Sequence, residues 1–466
     1  MAEVRDIVEV AEPELFEDVF PYELPPRIVF DGVVVEEIDG QRVEFDPQSL
    51  LERDIRITDT TFRDGQQARP PYTVAEIRHI YEQLVRISGP NGVIRQTEFF
   101  LYSDKDRQAA EACLDVGATF PQVTGWVRAD QGDISLAKKM GLAESGILSS
   151  CSDYHIFYKL RSDRRKILDH YLACVKTALD AGIRPRCHLE DITRADIDGF
   201  VVPFVQQLMR LSEDVPEDMK VKVRLCDTLG FGLSYPGAAL PRSIPKLIHR
   251  MTHDAGVPSD RLEWHGHNDF HKVHINAATA WLYGCDAVNC TLFGIGERTG
   301  NPPLEGSLFE YIAIKGGLCG IQTQALTELA QWYECEIGTK LPDNYPFVGR
   351  HFNTTRAGIH ADGLHRDERI YNIFDTEKLL NRACGVAITD KAGADGVMLW
   401  VNKFLGLEGK ARLSKIKLVK LCRYVADEYA GGRTTAISEE EMIVQLKLHL
   451  PQIYEQHVKP MLEGHS

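Results

Sequence analysis

Asp54-Ile55-Arg56-Ile57-Thr58-Asp59-Thr60-Thr61-Phe62-Arg63-Asp64-Gly65 opens the rhythm that decides the fold. Residues 54–59 are strand-like, and the run leads into a guanidinium and a carboxylate, Arg63 and Asp64, ahead of a glycine. Further strand-like runs follow at 93–99, 119–124, 145–150, 183–189, 220–226, 261–267 and 286–292. Helix-like segments fall between many of them, at 73–88, 163–181, 196–212 and 271–283. Strands alternating with helices make parallel βα units, and eight such strands close a TIM barrel. An open doubly wound sheet is the alternative, but no GxGxxG follows the first strand to favour it. The reading therefore predicts an α/β chain with a TIM (β/α)8 barrel at 53–321. An acidic N-terminal arm at 1–52 precedes it, with the breaker Leu24-Pro25-Pro26, a short strand-like Ile28-Val29-Phe30 and a small hairpin. Smaller helical C-terminal subdomains follow at 322–466.

TIM-barrel active sites lie at the C-terminal ends of the strands, which is where this chain concentrates its chemistry. The seventh run carries Trp264-His265-Gly266-His267-Asn268-Asp269. Residues i and i+2 of a strand share a face, so His265 and His267 aim two imidazoles into one space. The eighth run is followed by Gly294-Ile295-Gly296-Glu297-Arg298-Thr299-Gly300-Asn301. Strands 7, 8 and 1 are neighbours in a closed barrel, so Asp64, His265, His267 and Asn301 can converge on one divalent ion. Each has a plainer alternative: Asp64 as a turn cap, Asn301 as a left-handed residue beside Gly300, Glu297 and Arg298 as a structural ion pair.

Composition bounds the class. The 466 residues are 44% hydrophobic and 26% charged, as in ordinary globular proteins, and can bury more than one core. A net charge of −15 argues against general nucleic-acid binding while leaving room for a local basic pocket. No apolar run approaches the ~20 residues that span a bilayer. The start, Met1-Ala2-Glu3-Val4-Arg5-Asp6, has no secretory or transit signature, and the 11 scattered cysteines form no CxxC pair. The expectation is a cytoplasmic protein without a disulfide framework or a zinc-thiolate site.

Thr58–Gly65, the His265-Gly266-His267-Asn268-Asp269 segment and the Gly294-x-Gly296-Glu297-Arg298-x-Gly300-Asn301 loop together resemble the DRE-TIM metallolyases. Within them the chain is similar to the Claisen-condensing branch, the isopropylmalate, homocitrate, citramalate and Re-type citrate synthases. The resemblance covers roughly residues 53–375. It implies a divalent metal (Mn²⁺, Mg²⁺, Co²⁺ or Zn²⁺), acetyl-CoA and a 2-oxo acid. It further implies that Asp64, His265, His267 and Asn301 are the metal ligands and that Arg63 stabilises the oxygen charge developing on the 2-oxo acid.

A base for the acetyl methyl is implied by Thr355-Arg356-Ala357-Gly358-Ile359-His360-Ala361-Asp362-Gly363, which resembles the family's Gly-x-His segment. There the histidine reaches the active site of a partner subunit, so His360 supplied in trans implies a homodimer; a capped loop with a solvated His360 is the plainer alternative. Tyr371, eleven residues on, matches a tyrosine of the homocitrate-synthase version; an interfacial tyrosine that only packs is the alternative. Alternation in Arg186-Cys187-His188-Leu189-Glu190-Asp191 puts Arg186, His188 and Glu190 on one face, and Asp227-Thr228 ends the sixth strand. In homocitrate-type enzymes the residues matching Arg186, His188 and Thr228 contact substrate carboxylates. His188 stands where a small hydroxyl residue is common, and is expected to add a second cationic donor. Glu190 and Glu98 are placed either behind the ligands or in the barrel mouth, with an Arg186–Glu190 salt bridge as the structural alternative.

Substrate choice follows from three features. About 90 residues follow Tyr371, short of the regulatory domain usual in isopropylmalate synthases. Arg186 and His188 favour a second carboxylate over an isopropyl group. Gln66-Gln67-Ala68-Arg69-Pro70-Pro71-Tyr72-Thr73 and Phe20-Pro21-Tyr22-Glu23 look most like Re-type citrate synthases. The expected reaction is therefore condensation of acetyl-CoA with oxaloacetate, ahead of 2-oxoglutarate and 2-oxoisovalerate. A biotin-dependent carboxyltransferase shares the barrel and the HxH pair but is expected to lack the 294–301 loop. A lyase homologue is disfavoured by the His360 segment.

Overall fold

The computed structural model of the protein describes residues 5–407 and 409–463. Met1–Val4 of the acidic start and the last residues of the C-terminal segment lie outside that range. Eight parallel strands close on themselves: β1 (Arg56–Asp59), β2 (Ile94–Phe100), β3 (Gln122–Arg128), β4 (Glu144–Ser150), β5 (Arg184–Glu190), β6 (Lys222–Asp227), β7 (Leu262–Gly266) and β8 (Ala287–Cys290). The ring is sealed by β8, which pairs Asn289 with Thr58 on one side and with His265 on the other. This is the TIM barrel that the strand rhythm predicts.

Several helices form where the sequence supplies a cap and an apolar stripe. In α1 (Val74–Ser88), Thr73 and Glu76 make a capping box, and Ile77, Ile80, Tyr81, Leu84 and Ile87 recur at three- and four-residue spacing to cover the barrel. In the expected helix 196–212 only α2 (Val202–Leu211) is α-helical; Ile197–Val201 form a wider π-helical turn ahead of Pro203.

The barrel interior departs from the usual layers of branched apolar side chains. Arg186 and Arg224 are fully buried in it. Arg186 donates to Glu98 and Glu144, each over 2.7 Å, and Arg224 to Glu263 over 2.8 Å. Lys222 donates to Glu144 over 2.8 Å. Buried charges persist only when paired, and removing one member of such a pair costs about 3–5 kcal/mol.

The arm differs from its expected form. Ile28–Phe30 belong to no strand; Ile28 N–H donates to the Ala313 carbonyl over 3.0 Å instead. The hairpin lies later, Val34–Ile38 against Gln41–Phe45, because Asp39 (φ 53°) and Gly40 (φ 74°) supply the two left-handed residues of a tight turn.

The chain forms two compact units: residues 27–337, and residues 1–26 with 338–466. Residues 322–337, expected among the C-terminal subdomains, belong to the barrel unit. There the helix Gln324–Trp332 buries Leu326 and Leu329, and the Tyr333 hydroxyl meets that of Tyr72 at 2.8 Å. The other unit is built on helices Gly358–Arg366, Gly393–Phe404, Val419–Ala430 and Glu439–His449, around a core that includes Val397, Val401, Leu421 and Met442. No helix among the described residues is long and apolar enough to cross a membrane.

Candidate metal centre and active-site cavity

Asp64 reaches the centre through a turn fastened to two strands. Thr60 N–H donates to the Cys290 carbonyl over 2.8 Å. Thr61 Oγ1 donates to Asp59 over 2.5 Å and accepts from Leu292 N–H over 2.8 Å. The loop after β1 is thereby tied to the loop after β8. His265 sits on β7 and His267 just beyond it.

The three side chains meet. His265 Nε2 lies 3.2 Å from His267 Nε2 and 3.4 Å from Asp64 Oδ2, and His267 Nε2 lies 3.6 Å from the same oxygen. All three are buried, and their ligating atoms fall within 4.8 Å of one another. Neighbouring ligands on a metal with bonds of ~2.1 Å stand about 3 Å apart, so the donor set fits a divalent ion with little movement.

Electrostatics prepares the same set. Burial, opposed by Asp64, pushes His265 down to about 3 and lowers His267, so both imidazoles are neutral near pH 7. Burial alone would raise Asp64, but Arg63 and the two imidazoles hold it below the ordinary carboxylate range. The result is two neutral nitrogen donors and one anionic oxygen, the protonation states a cation requires. Asn301 also reaches the group, with Nδ2 donating to Asp64 Oδ2 over 2.9 Å and to the Gly266 carbonyl over 3.0 Å. Its Oδ1 is buried without a hydrogen-bond partner. Asn301 thus turns its amide nitrogen to Asp64, and would offer Oδ1 to a divalent ion after an amide flip.

Arg63 borders the centre, with Nε donating to Glu98 over 2.8 Å and Nη1 3.5 Å from Asp64. A cavity of about 150 Å³ opens beside these groups and is also lined by Trp126, His188, Glu190 and Thr228. Arg186 and Glu98 do not line it; they lie in the ionic interior beneath. Glu190 pairs with Lys159 over 2.8 Å and His155 over 2.9 Å, not with Arg186. Burial, and then Arg224, hold His188 well below its ordinary value, so it is a neutral imidazole rather than the expected second cation. Arg298 pairs with Asp269 over 3.0 Å, more closely than with Glu297 at 3.7 Å.

His360 and Tyr371 belong to the other compact unit, where their rings meet at a tilt of 40° with centroids 4.3 Å apart. Gly363 makes room for this: a Cβ there would stand 2.5 Å from the Tyr371 ring. Both side chains are exposed. Sequence reasoning missed Asn289 and Trp126, which touch or line the site. Gln67 and Glu297 also line the cavity, where Glu297 was expected only to pair with Arg298.

A closed (β/α)8 barrel with a carboxylate and an HxH pair at its C-terminal rim defines the class, and the chain belongs to the HMGL-like family, whose profile matches residues 54–332. More particular likenesses run along nearly the whole chain. A citrate (Re)-synthase of Syntrophus aciditrophicus is 52% identical over 454 residues, 97% of this chain and 70% of that protein. A citrate (Re)-synthase of Clostridium kluyveri is 48% identical over 448 residues, 96% of each chain. A 2-phosphinomethylmalate synthase of Streptomyces hygroscopicus is 38% identical over 445 residues, 93% of this chain and 96% of that one.

Proposed function

We propose that this chain condenses acetyl-CoA with oxaloacetate and water to give citrate and CoA, attacking the Re face of the keto group. The observation that carries the reading is the likeness to two citrate (Re)-synthases across both compact units, joined to a barrel rim whose donor set suits a divalent metal. Asp64, His265 and His267 would hold Mn²⁺, Mg²⁺ or Co²⁺, with Asn301 turned oxygen-first. The ion, when bound, supplies Lewis-acid polarisation of a 2-oxo acid.

The chain's own groups do the rest. Arg63, fixed by Glu98, faces the keto oxygen and neutralises the charge that develops there on attack. Thr228 offers a hydroxyl within the cavity to a carboxylate. His360, packed against Tyr371, takes the proton from the acetyl methyl, whose carbon acidity is weak. We assign His360 to the barrel of a second copy, which makes the working form a homodimer. Water then hydrolyses the thioester of the adduct, releasing CoA and drawing the reaction forward.

The test is thiol release from acetyl-CoA with oxaloacetate, 2-oxoglutarate and 2-oxoisovalerate in turn. Citrate made from labelled acetyl-CoA and cleaved by a lyase of known stereospecificity reports the face of attack. Preference for either of the other two 2-oxo acids overturns the substrate assignment, and label in the opposite arm overturns the Re assignment.

A further inference from the structure

The candidate ligands come from the ends of β7, β8 and β1. In a ring of eight strands, the strands across from these are β3, β4 and β5. A substrate anchored at the centre therefore extends its distal end toward Trp126 on β3, Gly146 and Leu148 on β4, and His188 on β5. These positions form a fixed wall. Trp126 Nε1 donates to His188 Nδ1 over 3.2 Å. His188 Nε2 accepts from Arg186 Nε over 3.3 Å and lies 3.4 Å from Glu98 Oε1. Phe100 braces Trp126 edge-on, with ring centroids 5.2 Å apart. Gly146 completes the arrangement. A Cβ there would stand 2.6 Å from His188 Nε2 and 3.1 Å from Trp126 Cδ1, so only glycine lets the imidazole lie back against β4. Both His188 nitrogens are engaged away from the cavity, and the ring presents bulk to it without positive charge.

We propose that Trp126 and His188 act together as the specificity wall of the site, setting its depth for a four-carbon 2-oxo acid and excluding one a methylene longer. This inference rests on the function proposed above. It assigns Trp126 a role, and it changes that of His188 from carboxylate-binding to space-filling. A hydrophobic wall discriminates a single methylene by about 10–200-fold.

The experiment measures kcat and KM for oxaloacetate and 2-oxoglutarate in the wild type, His188→Ser and Trp126→Leu. The wild type is expected to favour oxaloacetate by about tenfold or more. Each variant is expected to raise the 2-oxoglutarate-to-oxaloacetate ratio of kcat/KM by about tenfold or more, chiefly through a lower KM for 2-oxoglutarate. If His188→Ser fails to fold because Glu98 loses a neighbour, Trp126→Leu, which leaves that contact in place, decides. A folded variant in which both substrates lose equally overturns the wall alone. A wild type that accepts 2-oxoglutarate as well as oxaloacetate also overturns it, whether or not either variant folds. A wild type that ignores oxaloacetate overturns the proposed function, and the wall with it.

Discussion

His265 Nδ1 and Asn289 Oδ1 lie 2.7 Å apart, side by side on paired strands. Asn289 Nδ2 donates to Thr58 Oγ1 over 2.8 Å, so its oxygen is the end that faces the imidazole. His265 must then carry its proton on Nδ1 and turn the Nε2 lone pair toward His267 and Asp64. An outer partner that orients a ligating imidazole in this way is worth about 10–100-fold in metal affinity. Asn289→Ala is accordingly expected to weaken Mn²⁺ binding by about that factor while the barrel stays folded. Calorimetric titration checks it, and an unchanged dissociation constant removes Asn289 from the centre.

Asp64→Asn keeps the side-chain volume and removes the anionic donor that Arg63 and both imidazoles face. A ligand that binds only the folded state stabilises it by about 2.7 kcal/mol at a hundredfold excess over its dissociation constant. Adding Mn²⁺ to chelator-treated protein is therefore expected to raise Tm by several degrees and restore thiol release, and to do neither in Asp64→Asn. A wild type whose activity survives exhaustive chelation would sink the metal assignment.

The sequence showed the barrel and the triad better than it showed what surrounds them. The strand rhythm is a local pattern, and the two-residue repeat put His265 and His267 on one face whatever the tertiary detail. Asn289 was illegible because its partner is a cross-strand neighbour 24 residues away, and only the β7–β8 register brings them together. Arg186 shows the opposite limit. Alternation placed it correctly on the face of His188 and Glu190, but periodicity carries no depth. The structure sets Arg186 one layer below the cavity, spent on Glu98 and Glu144. The hairpin followed turn chemistry at Asp39-Gly40 rather than the apolar triplet at Ile28–Phe30.

The ionic interior should make the barrel acid-sensitive in a defined window. Burial acts to raise the Glu144 pKa, but Lys222 and Arg186 outweigh it and hold it at about 2, against 4.5 ordinarily. A carboxylate depressed in the folded state contributes stability that is fully present above the unfolded value and is lost as pH falls through the folded one. Glu144 thus contributes roughly 3 kcal/mol that disappears between about pH 4.5 and 2. Glu144→Gln is expected to be less stable at pH 7, because Lys222 and Arg186 lose their anion, and to show a shallower decline across that window. Urea unfolding at pH 7, 4.5 and 3 measures both, and an acid limb as steep as the wild type's would contradict the assignment.

His360 and Tyr371 separate chemistry from metal binding. The exposed imidazole packs against the Tyr371 ring with centroids 4.3 Å apart, and no ligand of the candidate centre lies in its compact unit. If His360 is the base that deprotonates acetyl-CoA, His360→Ala should lower kcat by about 10²–10⁴-fold while leaving the Mn²⁺ dissociation constant unchanged. Tyr371→Phe keeps the ring that packs against His360 and removes only the hydroxyl. A smaller loss in Tyr371→Phe, carried in kcat, would mark the hydroxyl as part of proton transfer. Full activity there with a loss in Tyr371→Ala would mark the ring as the brace that holds His360. A second measurement tests the arrangement between copies. Mixing His360→Ala with Asp64→Asn subunits should regain activity, because a dimer pairing an intact barrel with an intact histidine can form only in the mixture. Two inactive variants that stay inactive when mixed, with subunit exchange demonstrated, would rule out supply of His360 in trans.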